Sequence, residues 1–152
     1  MYIRSIRKGD YTGVDRLLLQ LHQMDVINRP DMFSPLPQYM PKETFHSLVE
    51  NPNVIALLAK QKGQVIGCCF VSMLQRSGMA DMKSAYIDLL VVDEAHRHRG
   101  VGRALFQEVR RRAGALGAKR IDLTVWSYND IAIQAYRSYG MAPQRYVFEV
   151  NV

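Results

Sequence analysis

The sequence predicts an α/β domain in which a mixed central β-sheet is flanked by α-helices. Three observations carry that expectation. Segments that alternate apolar and polar residues, or run wholly apolar, take turns with segments of helical period from residue 2 to residue 150. Three strand-like runs follow one another in the middle, whereas the last half alternates helix and strand, so the sheet needs both antiparallel and parallel neighbours. Finally, 152 residues with 48% hydrophobic and 22% charged side chains have the balance of one folded domain, read here as residues 1–152.

The elements follow in order. Tyr2 to Arg7 alternates and reads as a strand, with Gly9-Asp10 as punctuation and Asp10 as an N-cap. Val14, Leu17, Leu18 and Leu21 form one stripe on a helix from about Tyr11 to Met24. Asn28 to Pro41 carries Pro30, Pro35, Pro37 and Pro41 and reads as a loop; Lys42 to Glu50 is a second helix, stopped by Asn51-Pro52. Val54–Ala59 and Val65–Leu74 form a hairpin across Lys62-Gly63-Gln64, and Ser77-Gly78 opens a further turn. Ala85 to Val92 is a third strand, and Asp93 to Arg99 a loop. Gly100 to Leu116 is a helix capped by Gly117, Arg120–Trp126 a strand, Asn129–Tyr139 a helix capped by Gly140, and Ala142–Val150 a last strand.

Composition excludes several classes. Cys68 and Cys69 are adjacent in an apolar run, where strand geometry points them to opposite faces and a bridge between them would be strained. They read as buried free thiols, which suits a reducing compartment. The start Met1-Tyr2-Ile3-Arg4 lacks the apolar core of a signal peptide, and no run approaches the roughly 18 apolar residues of a spanning helix. The expected setting is cytoplasmic, without membrane partners. A net charge of +6 favours anionic ligands without choosing among them. Arg97, Arg99, Arg103, Arg110, Arg111, Arg112, Lys119 and Arg120 raise a nucleic-acid reading, but no nucleic-acid motif accompanies them, and none is expected to bind. His96 and His98 lack an acidic or cysteine partner for a metal, so no metal is expected.

The most informative segment runs from Leu89 to Leu105. A strong strand ends, a basic loop follows, and Gly100 and Gly102 stand at a helix start. Helix N-termini hold N–H groups without internal partners at the positive end of the dipole, and a residue without a Cβ lets a ligand come close. That combination suits a diphosphate. The dinucleotide fingerprint fails because Leu105 replaces its third glycine, and the Gly-Lys-Ser/Thr of a P-loop is absent. What remains, Arg97-x-x-Gly100-x-Gly102 after Leu-Val-Val, resembles motif A of the GNAT acetyltransferase superfamily. A second stretch resembles its motif B: Asn129, Ala132, Tyr136, Gly140 and Met141, with Met141 in place of the commoner Phe. The His22 to Pro35 segment is similar to loops of small bacterial members.

The resemblance covers about Tyr86 to Tyr146 closely and the whole element order loosely. It implies a GNAT-like fold and acetyl-coenzyme A as co-substrate, held by Leu90, Val91, Val92, Arg97, His98, Arg99, Gly100, Val101, Gly102, Arg103, Asn129 and Tyr136. It implies N-acetylation of a primary amine by direct attack in a ternary complex. Tyr136 would then protonate the leaving thiolate, and Asp88, an acid within an apolar strand, would act as general base. Family members more often carry Glu at that place. For the acceptor, Asp25, Asp31 and Glu43 could attract a cation, while His22, His46, Tyr39, Trp126 and Tyr128 could line walls. A small amine, an antibiotic, a polyamine, an amino acid and a protein amine stay open; the minimal domain favours a small molecule. Similar proteins commonly form homodimers, which this sequence does not establish. The rival class is a non-catalytic acyl-coenzyme A-binding regulatory module, which would have no need of Tyr136 or Asp88.

Overall fold

The computed structural model describes residues 1–75 and 82–152. The expected turn at Ser77-Gly78 lies outside them. The chain forms β1 (Tyr2–Ser5), α1 (Tyr11–Asn28), α2 (Lys42–Glu50), β2 (Val54–Gln61), β3 (Gln64–Gln75), β4 (Lys83–Val92), α3 (Val101–Ala115), β5 (Arg120–Leu123) and α4 (Asp130–Ser138). The five strands make one sheet in the order β1-β2-β3-β4-β5. Each neighbouring pair among the first four is antiparallel, and β5 runs parallel to β4. The parallel step is the one that needs a helical crossover, which α3 supplies.

Each face of the sheet carries a core. Val14, Leu17 and Leu18 of α1 and Phe45 of α2 pack on Leu58, Val65, Cys68 and Phe70. On the other face Val101, Leu105, Phe106 and Val109 of α3 pack on Leu57, Ile66, Cys69 and Ile87. The adjacent cysteines therefore enter opposite cores, both as free thiols, as strand alternation requires. Burial pushes the Cys68 thiol up to about 12 and the Cys69 thiol also well up.

Gly67 sets how closely α3 approaches β3. A Cβ there would sit 2.9 Å from a Val101 methyl, 3.0 Å from Leu105 and 3.3 Å from the Val91 carbonyl oxygen. Gly67→Ala is expected to cost about 1–3 kcal/mol through overpacking. Thermal denaturation checks this: an unchanged midpoint would mean that α3 can shift without penalty.

Several boundaries differ from expectation. α1 continues to Asn28, four residues past Met24, and β1 ends at Ser5. Asp10 precedes α1 but its carboxylate does not cap the helix; it accepts from Arg4 (2.8 and 2.9 Å) and from the Arg7 N–H (2.7 Å). The guanidinium holds Asp10 below the usual carboxylate range. Gly100 is the residue before α3 rather than its first turn. β5 stops at Leu123 instead of Trp126, because β4 offers it no partner beyond Ile87. The largest correction concerns Ala142–Val150, which forms no strand. Its alternation is that of a strand, but Pro143 lacks an N–H and neither sheet edge of the chain bonds to it.

Candidate active site

The sheet forks between β4 and β5. Pairing runs from Ser84↔Arg120 to Ile87↔Leu123, and β4 then continues alone to Val92. Tyr86 and Thr124 hydroxyls meet at 2.6 Å at the base of the fork. On its other edge β4 keeps its partners, Leu90 with Cys69, Val91 with Cys68 and Val92 with Gly67. Toward the fork the backbone of this stretch has no strand partner among the described residues, so its N–H and C=O groups lack the ladder bonds that a paired strand makes.

Asp88 stands at the fork. Phe70 pairs with Leu89 and Val71 with Ile87, so Asp88 is the extra residue of a β-bulge. The bulge exposes its carboxylate, which accepts a hydrogen bond from the Ser72 hydroxyl at 2.6 Å.

The loop after β4 is anchored by Asp93, which the sequence reading had not singled out. Its carboxylate is buried and accepts from Gln20 (2.8 Å) and Arg16 (3.1 Å), with His96 Nδ1 at 2.7 Å. Its own N–H donates to the Ile66 carbonyl at 2.9 Å. Burial opposes ionisation of Asp93, but the hydrogen bonds from Gln20, His96 and Arg16 overcome it and bring the group down to about 2. This node ties α1 and β3 to the short 3-10 turn Glu94–His96. Arg97 then bonds back to the Val92 carbonyl at 3.3 Å.

His98 and Gly100 are both left-handed, at φ 60° and 81°. At Gly100 nothing lies within 4 Å of a notional Cβ, so its requirement is conformational. Gly102 differs: a Cβ there would meet the Tyr139 hydroxyl at 2.8 Å. Its bareness therefore serves packing by a protein tyrosine, where the sequence suggested room for a ligand alone. The first intrahelical bond of α3 is Ala104 N–H to the Gly100 carbonyl, 3.0 Å. The preceding N–H groups through Val101, Gly102 and Arg103 lie at the positive end of the helix. His98, Arg99, Gly100 and Arg103 are exposed beside them. Arg103 lies 5.1 Å from the Tyr139 ring centre and reaches Ser138, which fixes α4 against α3.

α4 begins at its predicted cap, where Asn129 accepts from the Ala132 N–H at 3.2 Å. It ends with Gly140 left-handed and Met141 N–H bonded to the Tyr136 carbonyl at 3.0 Å. Tyr136 is half-buried, and among the described residues its hydroxyl has no hydrogen-bond partner. Burial above all, then the proximity of Cys69 and Tyr139, pushes it up to about 12, so it is protonated at neutral pH.

On the other side of the fork, the end of α1 meets the residues after β5. Tyr128 donates to Asp25 at 2.6 Å and stacks on Trp126 at 5.9 Å. Phe33 meets Trp126 edge-on, and His22, held by the Ser34 carbonyl at 2.7 Å, meets Phe33 and Tyr39. Burial raises Tyr39, with Asp25 and Asp88 adding, so this ring lies within the field of both carboxylates. Asp31 is engaged by Arg29. Glu43 and His46 are on α2, where His46 packs on Phe45, and the structure does not bring them to this aromatic cluster. Two surface hollows, one lined by Ser5, Val54 and Arg112 and one by Tyr11, Arg16 and Pro37, lie elsewhere.

The architecture has many structural counterparts. A mutant of the BH1408 protein from Bacillus halodurans is 28% identical and superposes with a TM-score of 0.96 over 100% of this chain and 99% of that one. An aminoglycoside acetyltransferase from an uncultured soil metagenomic sample matches at 0.75 with 22% identity, over 99% of this chain and 97% of its own. Glucosamine-6-phosphate N-acetyltransferase from Arabidopsis thaliana matches at 0.76 with 16% identity and the same coverage. A search of curated proteins finds no match. The family model described as the acetyltransferase (GNAT) family matches residues 21–141, which hold both motifs, β2 to β5 and α2 to α4; the chain belongs to that family.

Proposed function

We propose that the protein transfers an acetyl group from acetyl-coenzyme A to a primary amine of a small molecule, by direct attack in a ternary complex. One observation carries the reading. The unpaired edge of β4 leads straight to the unbonded N–H groups that open α3, with the protonated hydroxyl of Tyr136 half-buried against β3. The residues fit the co-substrate. A pyrophosphate suits the N–H groups from Gly100 to Arg103 and the side chains of Arg97, His98 and Arg99. The two amides of a pantetheine arm suit the free edge at Leu90, Val91 and Val92, and Asn129 and Tyr136 complete its walls.

Acetyl-coenzyme A supplies an activated thioester; the protein supplies position and two proton transfers. An amine of pKa about 10.4 is mostly ammonium at pH 7, so deprotonation costs about 4–5 kcal/mol. Asp88 takes that proton, directly or through water; its Oδ2 is held by Ser72, which leaves Oδ1 for the amine. A β4 N–H polarises the thioester carbonyl. Tyr136 gives its proton to the departing thiolate. Asp25, Tyr39, Trp126 and Tyr128 form the acceptor's wall, a carboxylate among aromatic faces that suits a cation. Structurally similar proteins named for aminoglycoside and glucosamine-6-phosphate acetylation support a small amine. Two buried free thiols agree with a cytoplasmic setting.

Calorimetric titration with acetyl-coenzyme A, followed by an amine panel with detection of released thiol, tests the proposal. Micromolar binding and amine-dependent thiol release are expected. Binding with no turnover on any amine would favour a regulatory module; no binding to folded protein would refute the reading.

A further inference from the structure

α4, which carries Tyr136, has 9 residues, and none of them is fully buried. A helix this short is marginal on its own and keeps its place only through what it touches. Its N-terminal cap is internal, since Asn129 accepts from Ala132 of the same helix. Among the described residues, the hydrogen bonds that tie α4 to another helix or strand are the two that Arg103 of α3 donates. One goes to the Ser138 carbonyl at 3.3 Å and one to the Ser138 hydroxyl at 3.1 Å.

Arg103 makes a further contact at the same end. Its guanidinium carbon lies over the Tyr139 ring, 5.1 Å from the centre. That ring packs on Phe106 of α3 at 5.1 Å and meets the Tyr136 ring edge-on at 6.2 Å. A line of contact therefore runs from Arg103 through Tyr139 to Tyr136. The C-terminal end of a helix favours a cation, because its last carbonyls lack internal partners and the dipole is negative there. A flat guanidinium can stack on a ring and donate along its edge at once, which an ammonium group does not reproduce. The motif resemblance implied Arg103 as a co-substrate ligand, whereas in the structure its side chain is engaged with α4.

We infer that Arg103 is a positioning residue: it clamps the last turn of α4 against α3 and thereby sets where the Tyr136 hydroxyl stands in the fork. The inference rests on the proposed role of Tyr136 as proton donor. Displacing a catalytic group by about 1 Å can cost about 10²-fold in rate, so a side chain that touches no reacting atom governs kcat.

Arg103→Ala is expected to lower kcat by about 10- to 100-fold, with acetyl-coenzyme A affinity changed by less than about threefold. Arg103→Lys keeps the charge and is expected not to restore kcat. In a Tyr136→Phe background the same Arg103→Ala change is expected to cost less than about twofold, because the hydroxyl it misplaces is gone. Amide hydrogen exchange reads the clamp without turnover: the amides of α4 are expected to exchange about tenfold faster in Arg103→Ala, and those of α3 at the wild-type rate. Weakened acetyl-coenzyme A binding with kcat unchanged would make Arg103 a phosphate ligand and overturn the inference. An equal loss in the Tyr136→Phe background, full recovery by lysine, or unchanged exchange in α4 would each overturn it too. A wild type that releases no thiol with any amine of the panel would refute the acetyltransferase reading and the positioning with it; wild-type turnover that survives Arg103→Ala would refute the positioning alone.

Discussion

Tyr136→Phe is expected to lower kcat by about 10²- to 10³-fold while acetyl-coenzyme A affinity changes less than about threefold. Only the hydroxyl is removed. The ring that packs near Tyr139 stays, so the fold and the cleft wall stay with it. In the proposed mechanism the hydroxyl contributes when charge develops on the leaving sulfur, and a group pushed up to about 12 keeps its proton across the physiological range. The loss therefore belongs in kcat, with KM for both substrates little altered. Wild-type kcat should show no falling limb from Tyr136 below about pH 10. Steady-state kinetics with calorimetric affinity reads the split; an unchanged kcat would remove Tyr136 from the chemistry. Tyr139→Phe is the internal control, since its hydroxyl packs at Gly102 rather than facing the fork.

Asp93→Ala is expected to destabilise the fold by about 2–3 kcal/mol, or roughly 4–12 °C in midpoint for a chain of this size. The substitution leaves Gln20 and His96 without an acceptor at a buried site, where unpaired polar groups are costly. Arg16 is 42% exposed and can regain water, which keeps the loss below that of a fully buried pair. The same group predicts a pH dependence. Its carboxyl falls from 3.8 to about 2 on folding, so its contribution, about 2 kcal/mol, is complete above about pH 5. It is lost as pH drops through about 2. Chemical denaturation from pH 6 to pH 2 should show the acid-side loss shrink in Asp93→Ala; parallel curves for the two proteins would mean that Asp93 is not held ionised by the fold. Because the node anchors Glu94–His96, KM for acetyl-coenzyme A should rise in the same variant.

Local pattern made most of the architecture readable. The apolar runs at β2, β3 and β4 and the stripe on α1 need no knowledge of their neighbours, since burial alone dictates them. The glycine-opened start of α3 was legible for a similar reason, because the free N–H groups of its first turn follow from helix geometry alone, although the left-handed backbone of Gly100 was not foreseen. Contacts between distant segments were not legible. Asp93 reads as an ordinary loop residue until α1 brings Arg16 and Gln20 to it, although an acid ending an apolar strand beside a basic loop was a usable signal. Gly102 shows the same limit, because the atom that fills its space belongs to Tyr139 on α4. Asp10 looked like a cap by its position, but the stronger claim on its carboxylate comes from Arg4. For residues 142–150 the alternation predicted a strand that the structure does not form, because alternation carries no information about whether a sheet edge is there to receive it.

The paired thiols of β3 have a practical consequence. Cys68 and Cys69 lie at 0% exposure in opposite cores, and both are held protonated. A thiol reagent meets neither in the native state. In a release assay the background from the protein is then a measure of opening, and each residue samples a different layer: Cys68 the side under α1, Cys69 the side under α3. Alkylation rates of single Cys68→Ala and Cys69→Ala chains would time the detachment of each helical layer separately, making this adjacent pair a built-in clock for the order in which the two halves of the core come apart.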